Sequence, residues 1–437
     1  MVWLAVLSRS RFQAALLAAI IAVAFADSSI VVLALPQLYS RFETSITGVS
    51  WIVTSYNAAV AVAALALVFL VHRFRAKVVL AAGLLVFIAA TIGCAVAQAL
   101  WFLILARSVQ GAGAGLLLAG ALPFAGAHVW TLAGTFGAAL GPALGGVLTQ
   151  LFDWRAIFVA QAPVAAFALV AAARREDAIV GDRASRRRTI PANVCIGLVF
   201  GALVGALFLG VLLVIIVWQY SPIVGALIVS VLPAAAVAIR PLRLGRTAAT
   251  AGGAALLGSG LVALALLPSA SVWIAMSALA LCGAGLGLVI PVLSNDALDP
   301  AALTRSGTLT IGVRHLGLVA AIASIAPLLA STLPEAGDRA MLKATAVLLD
   351  APISVTDKIP IALDLRRAFD QAKTGEIPNL KEPFDSRGAR SDPALAHARD
   401  DLVGAIQTTI TRAFRSAFFL AAAFAAAAAL LSWRLIR

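Results

Sequence analysis

The sequence predicts an all-α polytopic membrane protein: twelve transmembrane helices in two pseudo-symmetric six-helix bundles, plus an extracytoplasmic helical extension. The first observation is composition, because 62% of the 437 residues are apolar and only 12% are charged. Soluble domains carry about twice that charged fraction. The second observation is a series of apolar segments, most of them close to the roughly 20 residues of helix that cross a bilayer. The third is a repeat that relates the two halves of the chain.

The apolar segments define predicted helices 1 to 12 in chain order. Basic residues and tryptophans mark their ends, as expected where a chain enters and leaves a membrane. The predicted helices cover residues 12–37, 48–71, 77–98, 101–126, 130–151, 155–173, 192–217, 222–240, 248–267, 271–295, 306–333 and 416–433.

Lysine and arginine place both termini in the cytoplasm, because basic residues concentrate on that side. Arg9 and Arg11 precede helix 1, the run RREDAIVGDRASRRR occupies 174–188, and Arg434 and Arg437 follow helix 12. The predicted location is therefore the cell (plasma or inner) membrane. The formal net charge of +13 does not indicate a nucleic-acid partner, because the basic residues lie between apolar segments and not on one soluble face.

Helices 4 and 10 carry the same local pattern. Trp101 precedes QGAGAGLLL (110–118) by nine residues and Trp273 precedes CGAGLGLVI (282–290) by the same nine, an offset of 172 residues. Two six-helix units joined by a basic linker form the layout of a duplicated transporter. The predicted domains are a first bundle (1–173), a cytoplasmic linker (174–191), helices 7–11 of the second bundle (192–333), the extracytoplasmic extension (334–415) and helix 12 (416–437).

The extension is the most polar part of the second half. The segments 337–350 and 358–372 have the pattern of short amphipathic helices, and Asp392-Pro393 is a typical helix start, with Asp as N-cap and Pro at the first position. From there the pattern stays helical to Trp433. Two interpretations of one apolar stripe remain open: it packs on a neighbouring helix, or it shields a hydrophobic cargo. The stripe consists of Leu402, Ile406, Ile410 and Phe414.

Two charges are predicted to lie deep in the membrane. Asp27 is about 15 residues into helix 1, hence ~22 Å from the cytoplasmic face, and Arg107 lies ~21 Å from that face in helix 4. The matching depths predict that the two side chains meet. An intramembrane charge is expensive unless it is paired or hydrated, and it usually marks function. The pair is therefore either a proton-loading site in a cavity that alternately wets and dries, or a structural link between helices 1 and 4.

Other polar side chains in the apolar segments are weaker candidates. Arg314 and His315 of helix 11 are assigned to gating or coupling, since histidine changes its charge near neutral pH. The alternative is that Arg314 bonds to backbone carbonyls and His315 is a neutral bridge between helices. The candidates for lining a cavity are Tyr56, Asn57, Gln110, Gln161, Gln219 and Tyr220.

The sequence does not predict an enzyme. There is no nucleophile–base set and no metal-ligand spacing, and neither a metal nor a cofactor is expected. Cys94, Cys195 and Cys282 all fall in apolar segments, where cysteine acts as a small packing residue.

Five segments carry a distinctive set of motifs: DSSIVVLALP (27–36), WIVTSYN (51–57), RSVQGAG (107–113), GAALGPALGG (137–146) and DWRAIFVAQAP (153–163). Together they resemble the drug:proton antiporters of the major facilitator superfamily, in the branch that usually has fourteen helices. The resemblance implies a proton-coupling role for Asp27 and Arg107. It also implies that the helix 5 motif is one associated with antiporters; the motif comprises Gly137, Gly141, Pro142, Gly145 and Gly146.

The chain departs from that family in three places. The loop VFLVHRFRAK (68–77) keeps Arg73 and Lys77 of the usual G-x-L-x-D-R-x-G-R-R pattern, but His72 replaces the acid. Two central helices are missing, which gives a twelve-helix variant. The extended region between helices 11 and 12 is similar to that of actinobacterial lipid exporters.

The expected function is a proton-coupled secondary active transporter that exports a hydrophobic or amphipathic small molecule by alternating access. The expected partners are that molecule or a lipid, protons and the bilayer, with the proton gradient as energy source and a monomer as the working unit. One alternative is a lipid or glycolipid transporter that uses the extension between helices 11 and 12. Another, motivated by the altered 68–77 loop, is a membrane sensor or scaffold that transports nothing.

Overall fold

The computed structural model describes residues 2–70, 73–174, 176–177, 189–242, 244–371, 379–389 and 392–435. Ten helices in these ranges are long and apolar enough to cross a membrane, and one further apolar helix is shorter. Fourteen α-helices form the described part of the chain. They are α1 (Val2–Phe42), α2 (Ile46–Leu70), α3 (Ala76–Ala95), α4 (Leu100–Leu151), α5 (Arg155–Ala173), α6 (Thr189–Val211), α7 (Pro222–Ala238), α8 (Gly253–Ala265), α9 (Val272–Ala297), α10 (Leu303–Asp350), α11 (Val355–Gln371), α12 (Glu382–Asp385), α13 (Pro393–Thr411) and α14 (Arg415–Leu435).

Helix α4 contains both predicted helix 4 and predicted helix 5. Gly126 divides it, with a φ of 69° and a ψ of 163° inside an otherwise helical run. Positive φ is open to glycine at little energetic penalty, and no atom lies within 4 Å of the place a Cβ would occupy. With α4 counted as two spans and the short helix α7 included, the twelve predicted helices are all present.

The first bundle consists of α1 to α5, and the second consists of α6 to α10 and α14. Two spans of the second bundle include a π-helical turn: Leu212–Val217 continues α6, and Ala248–Gly252 leads into α8. The predicted linker 174–191 lies largely outside the described residues, so the domain boundaries there remain predictions.

The repeat seen in the sequence has a structural counterpart. Helices α4 and α9 begin at Leu100 and Val272, which are also 172 residues apart. A Cβ on Gly111 would meet the backbone of α2 and one on Gly113 the backbone of α3. At the matching positions, a Cβ on Gly283 would meet α7 and one on Gly285 would meet α8. In both halves, therefore, small residues let the central helix approach two neighbours closely.

The extension differs from the prediction in one respect. Residues 337–350 do not form a separate helix, because α10 runs without a break from Leu303 to Asp350 through Pro334. Its 48 residues extend about 72 Å, more than twice the hydrocarbon thickness. A stripe at four-residue spacing, Ala336, Ala340, Ala344 and Leu348, is buried. Packing of α13 on α10 therefore accounts for the continuity past Pro334.

The same packing decides between the two interpretations of the apolar stripe on α13. Leu402, Ile406, Ile410 and Phe414 are at most 4% exposed, so the stripe packs inside the protein and is not open to a cargo. Asp392 caps α13 as predicted, accepting hydrogen bonds from the N–H groups of Ala394 and Leu395. A 3-10 turn, Arg412–Phe414, joins α13 to α14.

Candidate functional site

The glycines of the helix 5 motif bring α4 against α1. A Cβ on Gly137 would meet the Ala22 backbone, and one on Gly145 would meet the carbonyl oxygen of Ile30. Between them, Gly141 lies against Ser29. These contacts bracket Asp27 along α1, so the small-residue face of α4 fixes the depth and rotation of the segment that carries the carboxylate. Gly146 faces the other bundle, at Pro222 and Ala226 of α7.

Asp27 and Arg107 meet, as their predicted depths required. Arg107 Nη1 donates to Asp27 Oδ2 across 2.5 Å, and both side chains are fully buried. A pair of this kind stabilises little overall, because desolvation of the two ions offsets their attraction. Removing one partner is far more expensive, because the other charge stays buried alone. Loss of either side chain alone is therefore more harmful than loss of both.

Two glutamines extend the ion pair into a closed ring of hydrogen bonds. Gln161 of α5 donates to Asp27 Oδ1 across 2.8 Å, and Gln110 of α4 donates to Gln161 Oε1 across 3.0 Å. Gln110 Oε1 in turn accepts from Arg107 Nη1 across 2.6 Å. Both carboxylate oxygens thus have a donor. Such a connected network holds one arrangement of the charges on three helices.

Aromatic and backbone groups complete the surroundings of Arg107. Its guanidinium carbon lies 4.2 Å from the centroid of the Tyr56 ring, and its Nε donates to the Ile52 carbonyl across 3.1 Å. The Tyr56 hydroxyl donates to the Ala24 carbonyl of α1 across 2.9 Å. Arg107 Nη2 is buried without a hydrogen-bond partner. A buried donor left without a partner costs free energy.

A cavity lies between the two bundles, on the opposite side of α1 from this network. The volume of this cavity is about 130 Å³, which is ample for several water molecules. Ser28 and Ser29, directly after Asp27, line it, and Ser28 also donates to Asn57 Oδ1 across 2.9 Å. The other lining residues come from α1, α4, α6, α7, α9 and α10: Phe25, Val32, Trp130, Thr131, Gly134, Thr135, Ala138, Pro142, Ile196, Phe200, Leu203, Val204, Leu207, Leu232, Pro233, Ala236, Val237, Leu286, Ile290, Ser294, Thr310, Arg314 and Leu318.

Arg314 is the charged residue on the wall of this cavity. Its guanidinium carbon lies 4.3 Å from the ring centroid of Phe25 and 4.0 Å from that of Phe200. The interpretation that it bonds to backbone carbonyls is wrong for the described residues, because Nε is buried and unpaired and the contacts of the guanidinium are aromatic. His315 is buried, and its Nδ1 lies 2.8 Å from the Ile311 carbonyl, so this nitrogen donates within α10 and does not bridge two helices.

The six side chains predicted to line a cavity are not among the described residues that do so. Tyr56, Gln110 and Gln161 belong to the buried network, whereas Asn57 accepts from Ser28 and donates to the Val53 carbonyl of its own helix. Gln219 and Tyr220 lie in the turn before α7, where Gln219 has a φ of 57° and Tyr220 is 38% exposed. The sequence does not determine which way these side chains point.

Asp177, from a later part of the chain, places an acid against the loop between α2 and α3. Arg75 forms an ion pair with Asp177, and the backbone N–H of Lys77 donates to Asp177 Oδ1 across 3.3 Å. Asp177 follows α5, so the segment after the last helix of the first bundle reaches back to the start of α3. Arg73 lies in the same loop, whereas His72 lies outside the described residues.

The fold and the site together indicate a class of protein. Two bundles of apolar helices with matching internal contacts enclose a cavity at their interface, and buried charges lie beside it; this is the architecture of a secondary transporter. The family model for the Major Facilitator Superfamily matches residues 17–331. The chain belongs to the Major Facilitator Superfamily and is a multi-pass membrane protein of that type.

Curated relatives are antibiotic and drug resistance proteins of bacteria. The multidrug resistance protein Stp of Mycobacterium tuberculosis is 28% identical over 198 residues, 43% of this chain and 37% of Stp. The methylenomycin A resistance protein of Streptomyces coelicolor is 30% identical over 229 residues, 50% of this chain and 47% of the relative. The chain thus spans less than half the length of these relatives.

Solved structures share the fold. A bacterial homologue of the human lysosomal transporter Spinster, in an inward-facing and unoccupied conformation, matches with a TM-score of 0.61 at 15% identity over 97% of each chain. A D-xylose–proton symporter matches with a TM-score of 0.56 at 14% identity, over 72% of this chain and 89% of the symporter. Identities this low establish the architecture and not the substrate.

Sequence reasoning missed several residues of the site. Phe25, Phe200 and Trp130 are ordinary apolar residues in the sequence, and no local pattern distinguishes them from core side chains. Asp177 lies in a basic run together with two other acids, Glu176 and Asp182, so it was a weak signal. Thr91, which accepts from Gln110 Nε2 across 2.9 Å, also gave no signal, because a lone threonine is common in a membrane helix.

Proposed function

We propose that this protein is a proton-coupled exporter of amphipathic small molecules that works by alternating access. The observation that carries the proposal is the single carboxylate of Asp27, buried with Arg107 beside a cavity at the interface of the two bundles. A carboxylate placed there can hold a proton only when the cavity, or a rearrangement of α1, brings water to it. Loading and release then follow the motion of the bundles.

The shape of the cavity supports alternating access. Trp130, Val237 and Ser294 line one end, and all three lie near the predicted cytoplasmic ends of their helices. At the other side the bundles meet: Gln150 Oε1 accepts from the Ile223 N–H across 2.8 Å, and Gly146 lies against α7. The bundles also meet nearer the predicted cytoplasmic side, where a Cβ on Gly307 of α10 would meet the Leu122 side chain of α4.

Proton coupling would proceed through the ion pair. Protonation of Asp27 removes the negative charge that Arg107 faces and leaves the guanidinium with only neutral acceptors, Gln110 and the Ile52 carbonyl. That state favours a conformation in which Arg107 finds water or another partner. A proton therefore changes the relative free energy of the two conformations, as coupling requires.

The test is efflux from cells and proteoliposomes with a panel of neutral, cationic and anionic hydrophobic dyes, with and without a protonophore. Wild-type protein should export at least one dye, and the protonophore should abolish that export. Asp27→Asn should export without responding to the proton gradient, or not at all. Asp357→Asn, in the extension, is the matched control and should behave as wild type. Asp27→Asn with an undiminished response to the gradient would refute the coupling role.

The apolar stripe on α13 is buried against the protein and does not support the lipid alternative, which now rests on the helical extension alone. Deletion of residues 337–400 still distinguishes the two proposals: loss of lipid movement with dye efflux retained supports a lipid transporter. The sensor alternative rested on the altered α2–α3 loop, and Asp177 now supplies an acid there. If substrate does not change the distances between the two bundles, that result would support the sensor alternative.

A further inference from the structure

Arg314 is held in an unusual way for a buried cation. Its guanidinium carbon lies over the rings of Phe25 of α1 and Phe200 of α6, at 4.3 and 4.0 Å from the ring centroids. Aromatic rings interact with the faces of a guanidinium, whereas its five N–H groups point outward from its edge. That edge has no acceptor among the described residues, and Nε in particular is buried and unpaired.

The charges around the interface do not balance. Asp27 and Arg107 neutralise each other, which leaves the positive charge of Arg314 uncompensated in the described part of the membrane region. Neighbouring His315 offers no negative charge. An unpaired guanidinium in an apolar environment costs free energy. Proteins retain such a group where a ligand or another partner pairs with it.

The walls beside Arg314 have the chemistry of a two-part ligand site. Apolar side chains such as Leu203, Leu232 and Ile290 form most of the lining, and hydroxyls of Ser28 and Thr310 lie nearby. We propose that this cavity binds an apolar molecule through a single acidic group, a carboxylate or phosphate, that pairs with the open edge of Arg314. Planar bidentate pairing with such acids is what a guanidinium does best.

The position of Arg314 connects binding to both bundles. Arg314 and Phe200 belong to the second bundle and Phe25 belongs to the first, where Trp130 contacts it edge-on at 4.9 Å. An acid on Arg314 therefore binds at a contact that must break or slide when the bundles rock. This inference rests on the proposed export function and names its substrate class as amphipathic acids, where the sequence predicted only a hydrophobic or amphipathic cargo.

The test is direct binding to purified protein in phosphatidylcholine nanodiscs, without a proton gradient. The probes are pyrenebutyrate and the matched alcohol pyrenebutanol, detected by energy transfer from tryptophan, of which Trp130 lines the cavity. Wild type should prefer the acid, and Arg314→Gln should reduce the ratio of acid to alcohol affinity by about tenfold to a hundredfold, the range of one charge-assisted hydrogen-bonded pair. Arg305→Gln, an exposed arginine on the same helix, should leave the ratio unchanged.

Two results would overturn the inference: wild-type protein that binds the alcohol as tightly as the acid, or an Arg314→Gln ratio equal to that of wild type. The first result is measured on wild-type protein alone, so it can refute the inference even if Arg314→Gln does not fold. Replacing part of the phosphatidylcholine by phosphatidylglycerol assigns the source of the acid, since competition that depends on Arg314 indicates a lipid headgroup. If the preference is absent while Asp27-dependent efflux persists, only the substrate class fails and the exporter stands.

Discussion

Breaking the Asp27–Arg107 pair from either side should be far more harmful than removing both charges. Asp27→Asn leaves Arg107 buried with neutral acceptors, and Arg107→Gln leaves the carboxylate with only the Gln161 donor. Each single change should cost about 3–5 kcal/mol, the range for one member of a buried pair left alone. The double variant buries no charge at this position, so its loss should be about 2 kcal/mol or less, mainly from altered hydrogen bonds.

The measurement is a double-mutant cycle on equilibrium unfolding in mixed micelles, followed by circular dichroism. If the single losses simply added, the double variant would lose about 6–10 kcal/mol, so the expected coupling is about 4 kcal/mol or more. A double variant whose loss equals the sum of the singles would refute the reasoning. So would single variants that each lose less than about 1 kcal/mol, because that result would mean the charges are already hydrated or separated.

Three further predictions test helix packing, helix capping and hydrogen bonding. Gly137→Leu should push α4 away from the Ala22 backbone of α1 and lower the free energy of unfolding by about 1–3 kcal/mol or more, whereas Gly337→Ala, with no atom within 4 Å of its Cβ, should be neutral or stabilising. Asp392→Ala should lower the protection of α13 in hydrogen exchange by about 1 kcal/mol through loss of its cap, and Asp392→Asn should retain it. Gln161→Leu should cost about 1–3 kcal/mol in unfolding, because Asp27 Oδ1 loses its donor and one N–H of Gln110 loses its acceptor; equal stability would show that the hydrogen-bonded ring is dispensable.

The position of each helix along the chain was accessible from sequence because it depends on one-dimensional quantities. Bilayer thickness fixes the length of an apolar span and helical rise fixes depth. The twelve spans and the meeting of Asp27 with Arg107 follow from those two constraints, and the 172-residue repeat follows from the matching tryptophan and glycine pattern of helices 4 and 10. At α4 the predicted end of helix 4, residue 126, coincides with the break at Gly126, but helix 5 follows without the predicted loop.

Which way a side chain points could not be obtained from depth. Gln110 and Gln161 were expected to line the cavity but lie in the buried network beside it, since a rotation of a helix by about one residue, 100°, moves a side chain from a cavity to a neighbouring helix. The same limitation hid the pairing of Asp177 with Arg75, which are about 100 residues apart in sequence and meet only through the packing of α5 beside α3.

The sequence by itself determined that this chain is a duplicated twelve-helix membrane protein with one paired intramembrane acid, because hydrophobic length and charge in lipid leave few other solutions. Only the tertiary structure decided that the acid belongs to a hydrogen-bonded ring with Arg107 and two glutamines, that the stripe on α13 is buried, and that Arg314 lies over two aromatic rings with its Nε unpaired. Those features depend on the rotation and close approach of helices from both bundles, which packing fixes in three dimensions.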